Sequence, residues 1–219
     1  HIRKVCDCMK TIYLIRHSAP FVEIDNYSDR DNVLWEEYNR NMILSPLGEE
    51  NAKKLCNVNE LKGINEIYAS NSSRAIETAK YLAEKNNLEI NVISDFWERK
   101  FGIDSWNQLP ENFERKQFLD ENYKIGNGES QKEVSNRMYS TIMKILDEYK
   151  NKRIAIVSHA TAISYLLKKW CDIDRVDDKL RYSFNNNVIL NGYFNFCETF
   201  KLEFDDNNIL VNIQNINLD

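Results

Sequence analysis

A chain of 219 residues, 42% hydrophobic and 29% charged, has the make-up of one globular domain with a sizeable core, which excludes disordered and collagen-like classes. The formal net charge of -5 leaves no broad cationic surplus for a nucleic-acid backbone, and no apolar run approaches the roughly 18 residues that cross a bilayer. Neither nucleic acid nor membrane is therefore expected as a partner.

The N-terminus carries no secretory pattern. The cysteines, Cys6, Cys8, Cys56, Cys171 and Cys197, are odd in number and irregularly spaced, which fits reduced thiols and a cytoplasmic location better than a disulfide framework. Cys6-x-Cys8 has no second ligand pair nearby, so no metal is expected. Residues 1–8 differ in character from the apolar strand beyond them, and Met9 is the expected natural start, with 1–8 an appended remnant and 9–219 a single domain.

In chain order, Thr11 to Ile15 is a β-branched and aromatic run that predicts a buried strand. Asp29 to Arg40 places Leu34, Trp35 and Tyr38 on one side of an amphipathic helix. Ser45-Pro46 predicts a capped helix to about Cys56, with proline in its first turn. A second strand is expected over Glu66–Ser70, a helix over Ser73–Glu84 and a third strand near Glu89–Ile93. Ser94 to Gly128 shows little period and predicts a long insertion with one or two short helices, a length that favours a functional role. Glu129 to Tyr149 regains helical spacing, Arg153 to Ser158 is a buried strand, and Ala160 to Trp170 a helix. Asn185 to Asn187 reads as a polar loop, and the tail from Asn187 alternates like antiparallel strands, with Gly192 and Asp205 to Asn208 as turns. Strand and helix alternate through most of the chain, so an α/β fold with a mainly parallel central sheet is expected.

Ligands of parallel sheets gather beyond the carboxyl ends of the strands. Three predicted strands end at, or a few residues before, cationic or titratable side chains: Arg16-His17, Arg74 and His159. Two guanidiniums and two imidazoles converging there suit a phosphoryl dianion, because guanidinium offers paired planar donors and helix N-termini add N–H groups.

These motifs together resemble those of a known family. Leu14-Ile15-Arg16-His17-Ser18 is similar to the Arg-His-Gly signature of the histidine phosphatase superfamily, which includes cofactor-dependent phosphoglycerate mutase. Leu44-Ser45-Pro46-Leu47-Gly48 resembles its Leu-Thr-x-x-Gly element, and Ser70 to Ala79 its Ser-x-x-x-Arg-Ala-x-x-Thr-Ala element. Trp97-Glu98-Arg99-Lys100-Phe101-Gly102, Gly128-Glu129-Ser130 and Val157-Ser158-His159 match later landmarks in the same order. The resemblance covers nearly all of residues 11 to 217 and implies a phosphoglycerate mutase-like three-layer sandwich with a strand-rich C-terminal tail.

It also implies roles. His17 would be the nucleophile that becomes phosphohistidine, and Arg16, Arg74 and His159 would line the phosphate pocket. Small residues at Ser18 and Ala160, where the family usually has glycine, would let the backbone approach the anion. Glu98 would donate the proton to the leaving group, its acidity lowered by Trp97 and Phe101 on either side, with Asp95 and Asp104 as alternatives. These roles describe a histidine acid-type phosphatase, a phosphoric monoester hydrolase that needs no cofactor. Its partner would be a small phosphorylated metabolite.

Two departures bear on activity. Ser18-Ala19-Pro20-Phe21-Val22-Glu23 replaces the Glu-Thr-x-x-Asn of the mutases, which favours a phosphatase. Ile103-Asp104-Ser105-Trp106 lacks the family's frequent Trp-Glu-Gly, so the wall that selects substrate is not inherited. Competing readings are a phosphoglycerate mutase and a non-catalytic phosphate-binding module; a nucleotide-binding domain is disfavoured by the lack of a Gly-rich loop. Tyr193, Phe194 and Phe196 in the strand-like tail could pair with a second copy, leaving monomer and homodimer both open.

Overall fold

The computed structural model describes residues 9–22, 31, 33–176 and 179–216. The strand β1 (Lys10–Arg16) is followed by α1 (Trp35–Asn41) and α2 (Pro46–Leu55), then by β2 (Glu66–Ala69), α3 (Ser73–Asn86) and β3 (Ile90–Val92). Next come α4 (Phe113–Leu119), α5 (Gln131–Glu148), β4 (Arg153–Ser158) and α6 (Ala160–Leu167). Five strands close the described chain: β5 (Asp172–Val176), β6 (Lys179–Phe184), β7 (Asn187–Gly192), β8 (Thr199–Phe204) and β9 (Leu210–Ile216).

The main sheet has six strands in the order β3-β2-β4-β1-β8-β9. β3, β2, β4 and β1 run parallel, while β8 and β9 add on antiparallel. Successive side chains of a strand point to opposite faces, so one run of apolar residues feeds two cores. Ile12 and Leu14 of β1 join Ile154 and Ile156 of β4 against Val134, Met138 and Ile142 of α5 and Ile163 and Leu166 of α6. Tyr13, Ile15, Ala155 and Val157 face the other way, onto Leu55 of α2 and Ala75, Ala79 and Leu82 of α3. The three-layer α/β sandwich expected from the sequence is thus observed, with its parallel strands ending on one edge.

The helix expected from Asp29 begins at Trp35 instead. Asp29 and Arg30 lie outside the described residues, and the Trp35 amide donates to the Asp104 carbonyl at 2.9 Å, which ties the start of α1 to the insertion. The helix expected to reach Trp170 stops at Leu167, where i→i+3 bonds from Lys169 to Leu166 and from Trp170 to Leu167 tighten the turn. Strands β5 and β6 lie where none was anticipated and build a second antiparallel sheet with β7. Asn185 and Asn186, expected as a loop, are the hairpin turn of β6 and β7, with φ of 49° and 65° matching the two-residue turn that suits strand twist. Tyr193 to Cys197 is not strand but a link that crosses to β8, with Phe194 buried.

The insertion carries 3-10 turns at Ser94–Phe96 and Trp106–Gln108 besides α4. Phe101, Ile103 and Phe113 pack with Trp35 of α1 in a separate cluster, so α1 and the insertion form one roof. Arg137 of α5 donates to the carbonyls of Asp95 and Glu98 and pairs with Glu129, fixing the turn that precedes Arg99.

Gly48 decides the path of the loop after β1. A Cβ there would sit 2.0 Å from the Ala19 carbonyl oxygen, and the Gly48 carbonyl itself accepts the Ser18 hydroxyl at 2.7 Å. Gly48→Ala must push that backbone aside, at an expected cost of about 1–3 kcal/mol of stability, typical of overpacking. Urea unfolding should register this loss, and an unchanged midpoint would show that the loop yields freely.

Candidate active site

The carboxyl edge of the sheet brings the predicted residues together. The amide of Arg16 donates to Glu198 and that of His17 to Ser158, both at 2.9 Å, so the end of β1 is held from both sides. Arg74 is the second residue of α3 and His159 is the residue that caps α6. The imidazole centroids of His17 and His159 lie 5.0 Å apart.

Hydrogen bonding assigns the tautomers. A carbonyl only accepts, so His17 Nδ1 donates to the Ser18 carbonyl at 2.7 Å, and Nε2 keeps its lone pair and accepts from Arg74 Nε at 3.0 Å. His159 is the reverse: Nδ1 accepts from Arg74 Nη2 at 3.2 Å, so Nε2 donates to Ser70 Oγ at 2.7 Å. One guanidinium therefore bridges both imidazoles. Its remaining edge is held by Asn39 of α1, through the carbonyl and through Oδ1 at 3.0 Å.

Arg16 turns its guanidinium to the Phe194 carbonyl and lies 4.1 Å from the ring centroid of Phe196, which is also 5.9 Å from His17. Arg16 Nε and Ser72 Oγ are buried with no partner, donors left open beside the cluster. Glu98 Oε1 accepts the amides of Arg99 at 3.1 Å and Ala162 at 2.9 Å, and Oε2 that of Thr161 at 3.4 Å. Its carboxylate thus sits on the N-terminus of α6, one residue beyond His159 and Ala160, and its charge supports those of Arg16 and Arg74.

The structure also places the remaining predicted residues. Ser18 spends both donors inside the protein, its amide on Thr78 at 2.9 Å and its hydroxyl on Gly48. Ala160 opens α6 next to His159. Asp95 accepts from Thr141, and Asp104 binds the start of α1 through its carbonyl. The Trp97 ring lies 6.2 Å from that of His159 and carries Arg40 at 4.8 Å, while Phe101 faces Arg99 at 4.5 Å. Sequence reasoning missed Asn39, Ser70 as the partner of His159, and Phe196. Ser70 was within reach, since it opens the matched Arg74 element; nothing local marks the other two. Among the described residues no cluster of three His, Cys, Asp or Glu side chains could hold a metal, and the described cysteines are free thiols.

Electrostatics follow from burial. His17 is 6% exposed, Arg74 4% and His159 fully buried. Burial, then Arg74 and Arg16, pushes the His17 imidazole well below its usual 6.5, and burial, then Arg74 and His17, does the same to His159. Burial also pulls Arg74 down to about 10, opposed by Glu98 and assisted by Arg16. Both imidazoles are neutral near pH 7, and the cluster's positive charge resides on guanidinium.

Fold and cluster together define an α/β sandwich that gathers imidazoles and guanidiniums at the carboxyl edge of its sheet. The chain belongs to the histidine phosphatase superfamily (branch 1), whose family model matches residues 12–189. It is 34% identical over 101 residues to the uncharacterized phosphatase PhoE of Bacillus subtilis, a match covering 46% of this chain and half of that protein. It is 29% identical over 157 residues to the probable phosphoglycerate mutase GpmB of Escherichia fergusonii, covering 61% of this chain and 73% of the relative. In fold it is similar to the mycobacterial glucosyl-3-phosphoglycerate phosphatase, with a TM-score of 0.67 at 16% identity over 94% of this chain and 97% of the other. No helix among the described residues is long and apolar enough to cross a membrane.

Both histidines have folded-state acid constants below the unfolded value of 6.5. The unfolded chain therefore binds protons first as pH falls, so their contribution to stability is present above pH 6.5 and is lost as pH drops through the folded values. The melting temperature should fall between pH 7.5 and 5.5, less steeply in His159→Asn than in the parent. Equal slopes would mean that His159 is not held neutral by the fold.

Proposed function

We propose that the protein is a phosphomonoesterase that works through a phosphohistidine on His17, without metal or cofactor. The observation that carries this reading is the Arg74 guanidinium reaching both imidazoles, because a loose phosphoryl-transfer transition state needs an in-line nucleophile and cations around the equatorial oxygens. His17 Nε2, neutral and with the lone pair that Arg74 Nε releases as it turns to the incoming phosphoryl group, forms the N–P bond as the ester P–O bond breaks. Nδ1–H stays on the Ser18 carbonyl, which stabilises the cationic phosphoimidazole. Arg16, Arg74 and the N-terminal backbone of α6 at Ala160 surround the phosphoryl oxygens, with the backbone at Ser18 beside them, and His159 joins them as a donor by taking a proton from water at Nδ1 when Arg74 Nη2 turns to the anion.

Glu98 takes up the proton carried by the substrate monoanion and hands it to the departing alkoxide. Its Oε2, held only by the 3.4 Å contact to Thr161, is the oxygen available for that transfer. In the second half-reaction the resulting carboxylate takes a proton from water as the water oxygen attacks phosphorus and the N–P bond breaks. A cavity of about 130 Å³ is lined by Arg99 and Thr161, whose amides the Glu98 carboxylate accepts, and by Glu114, Ala160, Tyr165 and Phe194 among others, and it offers the released alcohol a place.

The likeness to GpmB favours a second reading, a mutase that retains the phosphoryl group. Incubation with 3-phosphoglycerate separates them, since free phosphate supports hydrolysis and 2-phosphoglycerate supports transfer. His17→Ala should reduce phosphate release from p-nitrophenyl phosphate at least about 1,000-fold and abolish base-stable, acid-labile labelling; undiminished turnover refutes the nucleophile. Glu98→Gln should slow an alkyl phosphate about 100-fold or more while sparing p-nitrophenyl phosphate, whose leaving group needs no proton. Equal losses on both substrates would remove Glu98 from that role.

A further inference from the structure

We infer that Asn39 is a positioning residue for Arg74, and that through it the roof formed by α1 and the insertion sets the phosphate pocket. The inference deepens the phosphatase reading and rests on it only for the catalytic consequence.

A guanidinium has two edges able to make paired hydrogen bonds, one formed by Nε and Nη2 and the other by Nη1 and Nη2. In Arg74 the first edge addresses His17 Nε2 and His159 Nδ1, where the anion must sit. The second is closed by a single residue, the carbonyl of Asn39 on Nη1 and its carboxamide Oδ1 on Nη2 at 3.0 Å. Arg74 lies near the start of α3, with a long side chain whose rotamers cost entropy to freeze. Asn39 stops that side chain from rotating the wrong edge towards the histidines. When phosphate enters, its oxygens replace the imidazoles on the Nε edge while the Asn39 contacts persist.

The placement of Asn39 is imposed from the roof. Glu36, one turn earlier in α1, accepts the Phe101 amide at 2.7 Å, the Trp35 amide reaches the Asp104 carbonyl, and Trp35 packs on Phe101 and Trp106. Asn39 is only 7% exposed, so little solvent is at hand to substitute for Arg74. The loop after His17 lacks the asparagine that the mutase pattern carries, and α1 brings a carboxamide to the pocket from a different part of the chain.

The test is a double-mutant cycle read by binding of inorganic phosphate in titration calorimetry, which needs no turnover. Asn39→Ala should weaken phosphate about 10-fold, the scale of one hydrogen bond to a charged group, and lower kcat on p-nitrophenyl phosphate at least as much. In the Arg74→Ala background the same change should alter phosphate affinity less than about 2-fold, because the residue acts only through Arg74. If Asn39→Ala does not accumulate as folded protein, Asn39→Ser, whose hydroxyl is too short to reach Nη2, is carried through the same cycle. Equal losses in both backgrounds, or phosphate affinity unchanged in the single variant, would overturn the inference. Phosphate binding that obeys the cycle in a protein with no phosphatase turnover would sink the proposed activity and leave the positioning role standing.

Discussion

The structure turns on burying one guanidinium between two imidazoles. Charge is expensive away from water, and Arg74 has no carboxylate among its direct partners. It is tolerated because its donors are matched to lone pairs: two imidazole nitrogens, a carbonyl and a carboxamide oxygen. The same arrangement keeps His17 and His159 neutral, since a third positive charge against Arg74 would cost more than either ring could recover. Neutrality is what the chemistry asks of a nucleophilic imidazole. The packing that holds Arg74 between the rings therefore also keeps His17 in the protonation state that attack would need.

Everything around this cluster supplies geometry. The parallel order of β2, β4 and β1 delivers Ser70, His159 and His17 side by side at one edge, a consequence of the two-faced strands whose side chains feed cores above and below. Helix α3 contributes Arg74 from its first turn, and Thr78 one turn on accepts the Ser18 amide while donating to the Arg74 carbonyl. The loop after His17 and the helix that carries Arg74 are thus locked to each other by one hydroxyl. The insertion completes the site by placing Glu98 on the N-terminus of α6, held there by Arg137 from below.

The parts legible in the sequence were those written in local chemistry. β1 and β4 announce themselves as short apolar runs, α2 by its Ser45-Pro46 cap, α5 by regular apolar spacing, and the Arg16-His17, Arg74 and His159 elements by their position after strands. What escaped depends on contacts between segments far apart in the chain. Asn39 meets Arg74 across 35 residues, partly by a main-chain carbonyl that any residue could offer. Phe196 reaches Arg16 only because the link between β7 and β8 crosses the sheet edge, with Cys197 in the left-handed region at φ 61°. Strands β5 and β6 alternate polar and apolar residues, Asp172-Ile173-Asp174 and Lys179-Leu180-Arg181-Tyr182, but so briefly that no strand was anticipated there.

The most direct test is the protonation state of the imidazoles themselves. The chain has three histidines, so nitrogen-15 spectra of histidine-labelled protein are assignable with His17→Asn and His159→Asn as references. At pH 6.5 without ligand, His17 should show a protonated Nδ1 and a bare Nε2, and His159 the opposite pattern, with neither ring titrating at its ordinary value. A His17 or His159 resonance that titrates at 6.5 or above, or the same tautomer on both rings, would contradict the shared guanidinium at the centre of the site.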